Sequence, residues 1–110
     1  MKKKFAAAFR GLFSGFKDIS ILTQWILAAL ALIAGYIMHL STMEWIAVAL
    51  CIGLVIVTEM VNTCIERTCD MIMKEWSSEV RYIKDLAAGA VVAAAITALI
   101  CALIILFRHL

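Results

Sequence analysis

Three carboxylates share one face of a segment that otherwise reads as membrane-embedded. The run Glu59-Met60-Val61-Asn62-Thr63-Cys64-Ile65-Glu66-Arg67-Thr68-Cys69-Asp70 follows directly on the apolar stretch from Trp45 to Val57. On a helix, at about 100° per residue, Glu66 and Asp70 fall within roughly 20° of Glu59, Thr63 about 40° away and Asn62 about 60° away on the other side. A fourth carboxylate, Asp85, comes with Lys84 in a second cluster, after which the chain turns apolar again. Ionisable groups beside hydrocarbon are costly and mark function. Three like charges so close repel one another and call for a balancing cation. Mg²⁺ shared with phosphate oxygens is the natural candidate, because Mg²⁺ takes one or two carboxylates together with phosphate. That chemistry is phosphoryl transfer. It is mostly positioning and charge neutralisation, with a carboxylate near the attacking hydroxyl. A carboxylate partly desolvated at the headgroup level gains proton affinity, which suits a general base.

The chain that must position these groups has 110 residues, 65% of them hydrophobic, and a mean hydropathy of +1.04. A soluble domain of this size could not bury so much apolar surface, so the class is an all-α integral membrane protein. The net charge of +2 is too small to suggest nucleic acid as a partner, and no signal-peptide pattern is evident. The four cysteines, Cys51, Cys64, Cys69 and Cys101, match no zinc or redox spacing and read as small buried hydrophobes.

Three apolar segments predict membrane helices over about 21–38, 44–73 and 80–107. Residues 1–18 precede them as an interfacial helix, and the whole of 1–110 forms one domain. A span needs roughly 20 residues, and the second reaches that length only by including the acidic stripe. The stripe therefore lies near one membrane surface. In the N-terminal segment Phe5, Phe9, Leu12, Phe13 and Phe16 recur at helical spacing, with Arg10 and Lys17 off the stripe, the pattern of a helix lying in the interface. Ser41 or Thr42 is expected to cap the second span with Glu44 in its first turn, and Ser78 to cap the third with Glu79 following. Trp25, Tyr36, Trp45 and Trp76 read as interface aromatics. His39 and His109 read as outer-surface residues without partners.

Orientation follows from basic residues. Lys2, Lys3, Lys4, Arg10 and Lys17 precede the first span, and Arg67, Lys74, Arg81 and Lys84 surround the second connection. The first connection has none, and the C-terminal end only Arg108. The positive-inside rule places the N-terminus and the second connection in the cytoplasm. The stripe and Lys84-Asp85 then meet where nucleotides are. Gly89 and Ala93, and Ala90 and Ala94, are small residues four apart that let helices approach closely. Three helices cannot shelter the stripe alone, so a homo-oligomer is expected.

These residues resemble the prokaryotic diacylglycerol kinase family, which includes the undecaprenol kinases. Its hallmark, Glu-x-x-Asn-(Ser/Thr)-Ala-Ile-Glu-x-x-x-Asp followed by Lys-Asp and an Ala/Gly-rich helix, is matched by Glu59, Asn62, Thr63, Ile65, Glu66 and Asp70, then Lys84-Asp85-Leu86-Ala87-Ala88-Gly89-Ala90, with Cys64 for the usual Ala. The resemblance covers the whole chain. It implies a homotrimer in the bacterial inner membrane that moves the γ-phosphate of ATP, with Mg²⁺, to the primary hydroxyl of diacylglycerol or undecaprenol. The Lys-Asp-Leu-Ala-Ala-Gly-Ala run leans toward undecaprenol. It further implies Glu59 as catalytic base with Asn62 beside it, Glu66 as metal ligand, Lys84, Asp85, Arg10 and Glu66 around the nucleotide, and Thr63 and Asp70 in support. The family has a further metal-binding Glu before the first span. Ile19 stands there, and the adjacent Asp18 is the candidate replacement. An impaired paralogue acting as a membrane interaction subunit, with the stripe neutralised by Arg67, Lys74, Arg81 and Lys84, is the alternative. A small multidrug exporter fits less well, since its carboxylate lies at mid-span.

Overall fold

In the computed structural model, which describes residues 1–73, 75 and 77–110, four α-helices follow one another: α1 (Lys2–Ser14), α2 (Ile19–Met38), α3 (Thr42–Ile72) and α4 (Ser78–Arg108), with a 3-10 turn over Gly15–Lys17 between the first two. The expected anchor Trp76 and the cation Lys74 lie outside the described residues. The last three helices are each long and apolar enough to cross a membrane. Helix α3, with 31 residues, runs about 46 Å, well beyond a hydrocarbon core of about 30 Å, and its C-terminal end carries the acidic stripe.

The burial pattern is that of a protein whose solvent is lipid. Among the described residues no large side chain is fully buried, while Leu30, Ile33, Leu50, Val92 and Leu99 lie exposed along the spans. Glu44, Glu59 and Asn62 are buried polar groups. Polar atoms turn inward here because hydrocarbon cannot satisfy them.

Helix α4 packs along α3 through a seam of small residues. Ala87, Ala94 and Ile105 are buried, and Val91, Ala98 and Cys101 half-buried between them, a spacing of alternating fours and threes that keeps one side toward the neighbour. This revises the expected small-residue face. Ala94 packs inward with Ala87, whereas Gly89, Ala90 and Ala93 lie outward, and a methyl placed on Gly89 would meet nothing within 4 Å.

Helix α2 leans on α3 at its C-terminal end. His39 closes α2 in the left-handed region (φ 56°, ψ 58°), with Leu40 N–H returning to the Gly35 carbonyl at 3.3 Å. Such a positive φ is uncommon outside Gly, Asn, Asp and His. The Trp45 ring then lies against Gly35, where an added Cβ would stand 2.7 Å from Trp45 Cη2. Trp45 is thus a packing residue rather than only an interface aromatic. Replacing Gly35 with Val should overpack this contact and cost about 1–3 kcal/mol, measurable as earlier thermal unfolding in detergent. An unchanged midpoint would mean that the α2–α3 contact does not hold the fold.

Helix α3 starts with a complete capping box. The Glu44 amide donates to Ser41 Oγ at 3.3 Å and the Ser41 amide to Glu44 Oε1 at 2.9 Å, two orphan donors satisfied reciprocally. His109 is not an isolated surface residue. Its Nε2 lies 3.0 Å from both Glu44 carboxylate oxygens, and Arg108 Nη1 lies 3.9 Å from one, so the end of α4 is pinned to the start of α3. The cap of α4 falls one residue earlier than expected, on Ser77, whose side chain makes no capping bond. Cys64 is exposed, Cys69 buried, and Cys51 and Cys101 half-buried. The last two line a cavity of about 480 Å³ between α2, α3 and α4 with Ala28, Val48 and Ile105.

Candidate active site

The acidic stripe is a depth series along α3. Glu59 and Asn62 are 8% exposed, Thr63 is half-buried, and Glu66 and Asp70 are exposed. The helix thus carries one carboxylate into the packed region and two at its rim. Thr63 donates its hydroxyl to the Glu59 carbonyl at 3.0 Å, which satisfies the hydroxyl within the helix. Asn62 Nδ2 donates to Glu66 Oε1 at 2.9 Å, one turn on. Asn62 Oδ1 is buried and has no partner among the described residues. An orphaned buried acceptor costs about 1–3 kcal/mol, so it marks a place where another donor belongs.

The charges are balanced unequally. Lys84 Nζ of α4 reaches Asp70 Oδ1 at 2.5 Å, as the spacing of the two clusters suggested. At the rim, half in solvent, such a pair is worth at most about 1 kcal/mol. Its value here is placement, since it holds an ammonium at the mouth of the stripe. Glu66 has the Asn62 amide. The Glu59 side chain makes no hydrogen bond or ion pair among the described residues. It is a buried carboxylate with no cation of its own, one turn from the orphaned Asn62 oxygen.

The chain matches the family described as prokaryotic diacylglycerol kinase over residues 6–106. This chain belongs to the prokaryotic diacylglycerol kinase family. It is also 37% identical, over 83 residues, to the undecaprenol kinase of Bacillus subtilis (strain 168), an alignment covering 76% of this chain and 68% of that one. The protein is accordingly a membrane-embedded lipid kinase.

Other residues of the kinase expected at the site are placed differently. Asp85 does not face the stripe. It lies 3.7 Å from Arg81 one turn back, both side chains largely exposed, because consecutive residues on a helix point about 100° apart and Lys84 already takes the inward direction. Arg10 is exposed on α1 beside Phe9, Phe13 and Lys17, around a shallow hollow of their own. Within one chain it touches neither Lys84 nor the stripe. Asp18, expected as a metal ligand, is paired with Arg67, and among the described residues no three acidic, His or Cys side chains converge as a metal cage. Glu66, exposed and bonded on one oxygen only, fits a Mg²⁺ held by one carboxylate and phosphate oxygens. Asp18, already neutralised, does not fit that role.

Two features escaped sequence reasoning. Arg67 was legible as a topology residue and as a cation for the stripe, with nothing to link it to Asp18. Trp25 packs on Phe16, ring centroids 5.4 Å apart, and its buried indole N–H has no partner among the described residues, so it is not a simple interface anchor.

Proposed function

We propose that this kinase transfers the γ-phosphate of ATP to the primary hydroxyl of undecaprenol, with Mg²⁺, at the cytoplasmic face of the bacterial inner membrane. The observation that carries it is Glu59, buried and without a cation beside the orphaned acceptor of Asn62. Glu59 accepts the proton as the lipid hydroxyl oxygen attacks the γ-phosphorus and the bond to the ADP oxygen breaks. Asn62 Oδ1 accepts a hydrogen bond from a bound water that in turn orients the hydroxyl. Lys84 lies on the phosphates, steered there by Asp70, and Asp85 and Arg10 bind the nucleotide from neighbouring helices. Glu66 would hold the Mg²⁺, which supplies neutralisation of phosphate charge when bound.

The protein works as a homotrimer with sites shared between protomers. Support comes from the outward small-residue face of α4 and from Arg10 and Asp85, which find no place at the stripe of their own chain. The N-terminus lies in the cytoplasm by the distribution of Lys and Arg. The lipid is chosen by resemblance to the Bacillus subtilis enzyme, whose name specifies undecaprenol. Undecaprenol and diacylglycerol competing in one bilayer, with labelled Mg-ATP, test the choice. Label should accumulate mainly in the polyprenol, and label mainly in diacylglycerol would reverse it.

A further inference from the structure

Asp18 is the N-cap residue of α2, with extended backbone angles (φ −89°, ψ 127°). An Asp in that position ordinarily turns its carboxylate onto the first amides of its own helix. Here no side-chain capping bond forms. The carboxylate instead accepts from Arg67 of α3, 49 residues along the chain. Its side chain is 23% exposed and that of Arg67 69%, so the carboxylate is partly sheltered while the guanidinium lies at the surface. The next residue, Ile19, is 82% exposed and points its apolar side chain away.

A second contact lies three residues upstream. Gly15 is buried, and a Cβ on it would stand 3.3 Å from Ile21 Cγ2 and 3.8 Å from Met60 Cε. The elbow between α1 and α2 is thus fastened to α3 twice, at Met60 and at Arg67. These residues directly follow Glu59 and Glu66 in the chain. Metal binding by Asp18 would have to displace the Arg67 guanidinium from the carboxylate it already neutralises.

We propose that Arg67 is a positioning residue of this kinase. Its guanidinium takes the place of a cation on the Asp18 carboxylate, clamps the α1–α2 elbow beside the catalytic stretch of α3, and leaves Asp18 outside the metal set. The inference rests on the kinase reading for its consequence, not for its geometry. Asp18 is a structural anion in this chain, and metal binding rests on Glu66. The clamp sets where the interfacial helix meets the mouth of the stripe.

The test uses the full chain in lipid nanodiscs, with Asp18→Asn, Arg67→Gln, Arg67→Lys and the charge swap Asp18→Arg with Arg67→Asp. Mn²⁺ bound per chain is counted by electron paramagnetic resonance with a non-hydrolysable ATP analogue present, and amide hydrogen exchange is followed over residues 15–22. Asp18→Asn should keep the wild-type Mn²⁺ count. Arg67→Gln should speed exchange of the elbow amides by about tenfold, and the swap should restore both slow exchange and phosphate transfer. If the swapped chain does not fold, Arg67→Lys, which keeps the cation, should exchange more slowly than Arg67→Gln. Loss of a Mn²⁺ ion in Asp18→Asn, or elbow exchange indifferent to Arg67, overturns the proposal. A wild-type protein that phosphorylates no lipid would instead remove the kinase reading, while metal count and exchange still decide the clamp.

Discussion

Glu59→Gln should lower kcat for lipid phosphorylation by about 10²- to 10⁴-fold, the range for loss of a general base, and leave ATP affinity unchanged. Glu59 is buried in α3, yet its side chain makes no ion pair or hydrogen bond among the described residues. Its replacement by an amide of the same shape therefore strands no partner. The same reasoning gives a second readout. Burying an unpaired carboxylate costs stability, so the variant should unfold no earlier than the wild type, and a later transition would fit a site that trades stability for activity. A large fall in kcat with a normal melting curve and normal nucleotide binding is the signature of chemistry removed from an intact site. A parallel collapse of folding would instead make Glu59 a structural residue.

Lys84→Met should act on the other substrate. The ammonium stands 2.5 Å from Asp70 at the rim of the stripe, from which it can turn to phosphate oxygens. A charged hydrogen bond of this kind is worth roughly 1.5–3 kcal/mol, so the Kd for ATP should rise by about 10- to 100-fold. Asp70→Asn should have a much smaller effect, a few-fold, because it removes only what steers Lys84. Fluorescent-nucleotide titration reads both variants. Equal, large losses would mean that Asp70 binds the nucleotide itself, and no loss in Lys84→Met would remove Lys84 from the phosphate site.

What could be foreseen from residue order is local. Apolar runs of span length mark α2, α3 and α4 because lipid allows little else. Ser41 or Thr42 before Glu44 marks the start of α3, though the reciprocal box with Ser41 shows only in the structure, and helical geometry alone puts Glu59, Asn62, Glu66 and Asp70 on one side. Lys84 could be matched to the stripe because only a short connection separates them. Contacts between distant parts of the chain stayed hidden. Asp18 could be seen as a metal ligand, and its partner, Arg67, lies 49 residues away. Glu44 could be seen in its first turn but not under His109, which closes on it from the far end of α4. The outward turn of Asp85 follows from Lys84 facing inward, a choice that depends on where α4 docks. The burial that separates Glu59 and Asn62 from Glu66 and Asp70 likewise arises from packing between helices, which no spacing rule reports.

One measurement bears most directly on the whole account: transfer of labelled γ-phosphate from Mg-ATP to lipid by the purified protein in mixed micelles, with undecaprenol and diacylglycerol in parallel samples and Glu59→Gln as the blank. The account predicts label in lipid, greater in undecaprenol, and almost none with the variant. A folded wild-type protein that binds ATP and labels neither lipid, or a Glu59→Gln variant as active as the wild type, would contradict it.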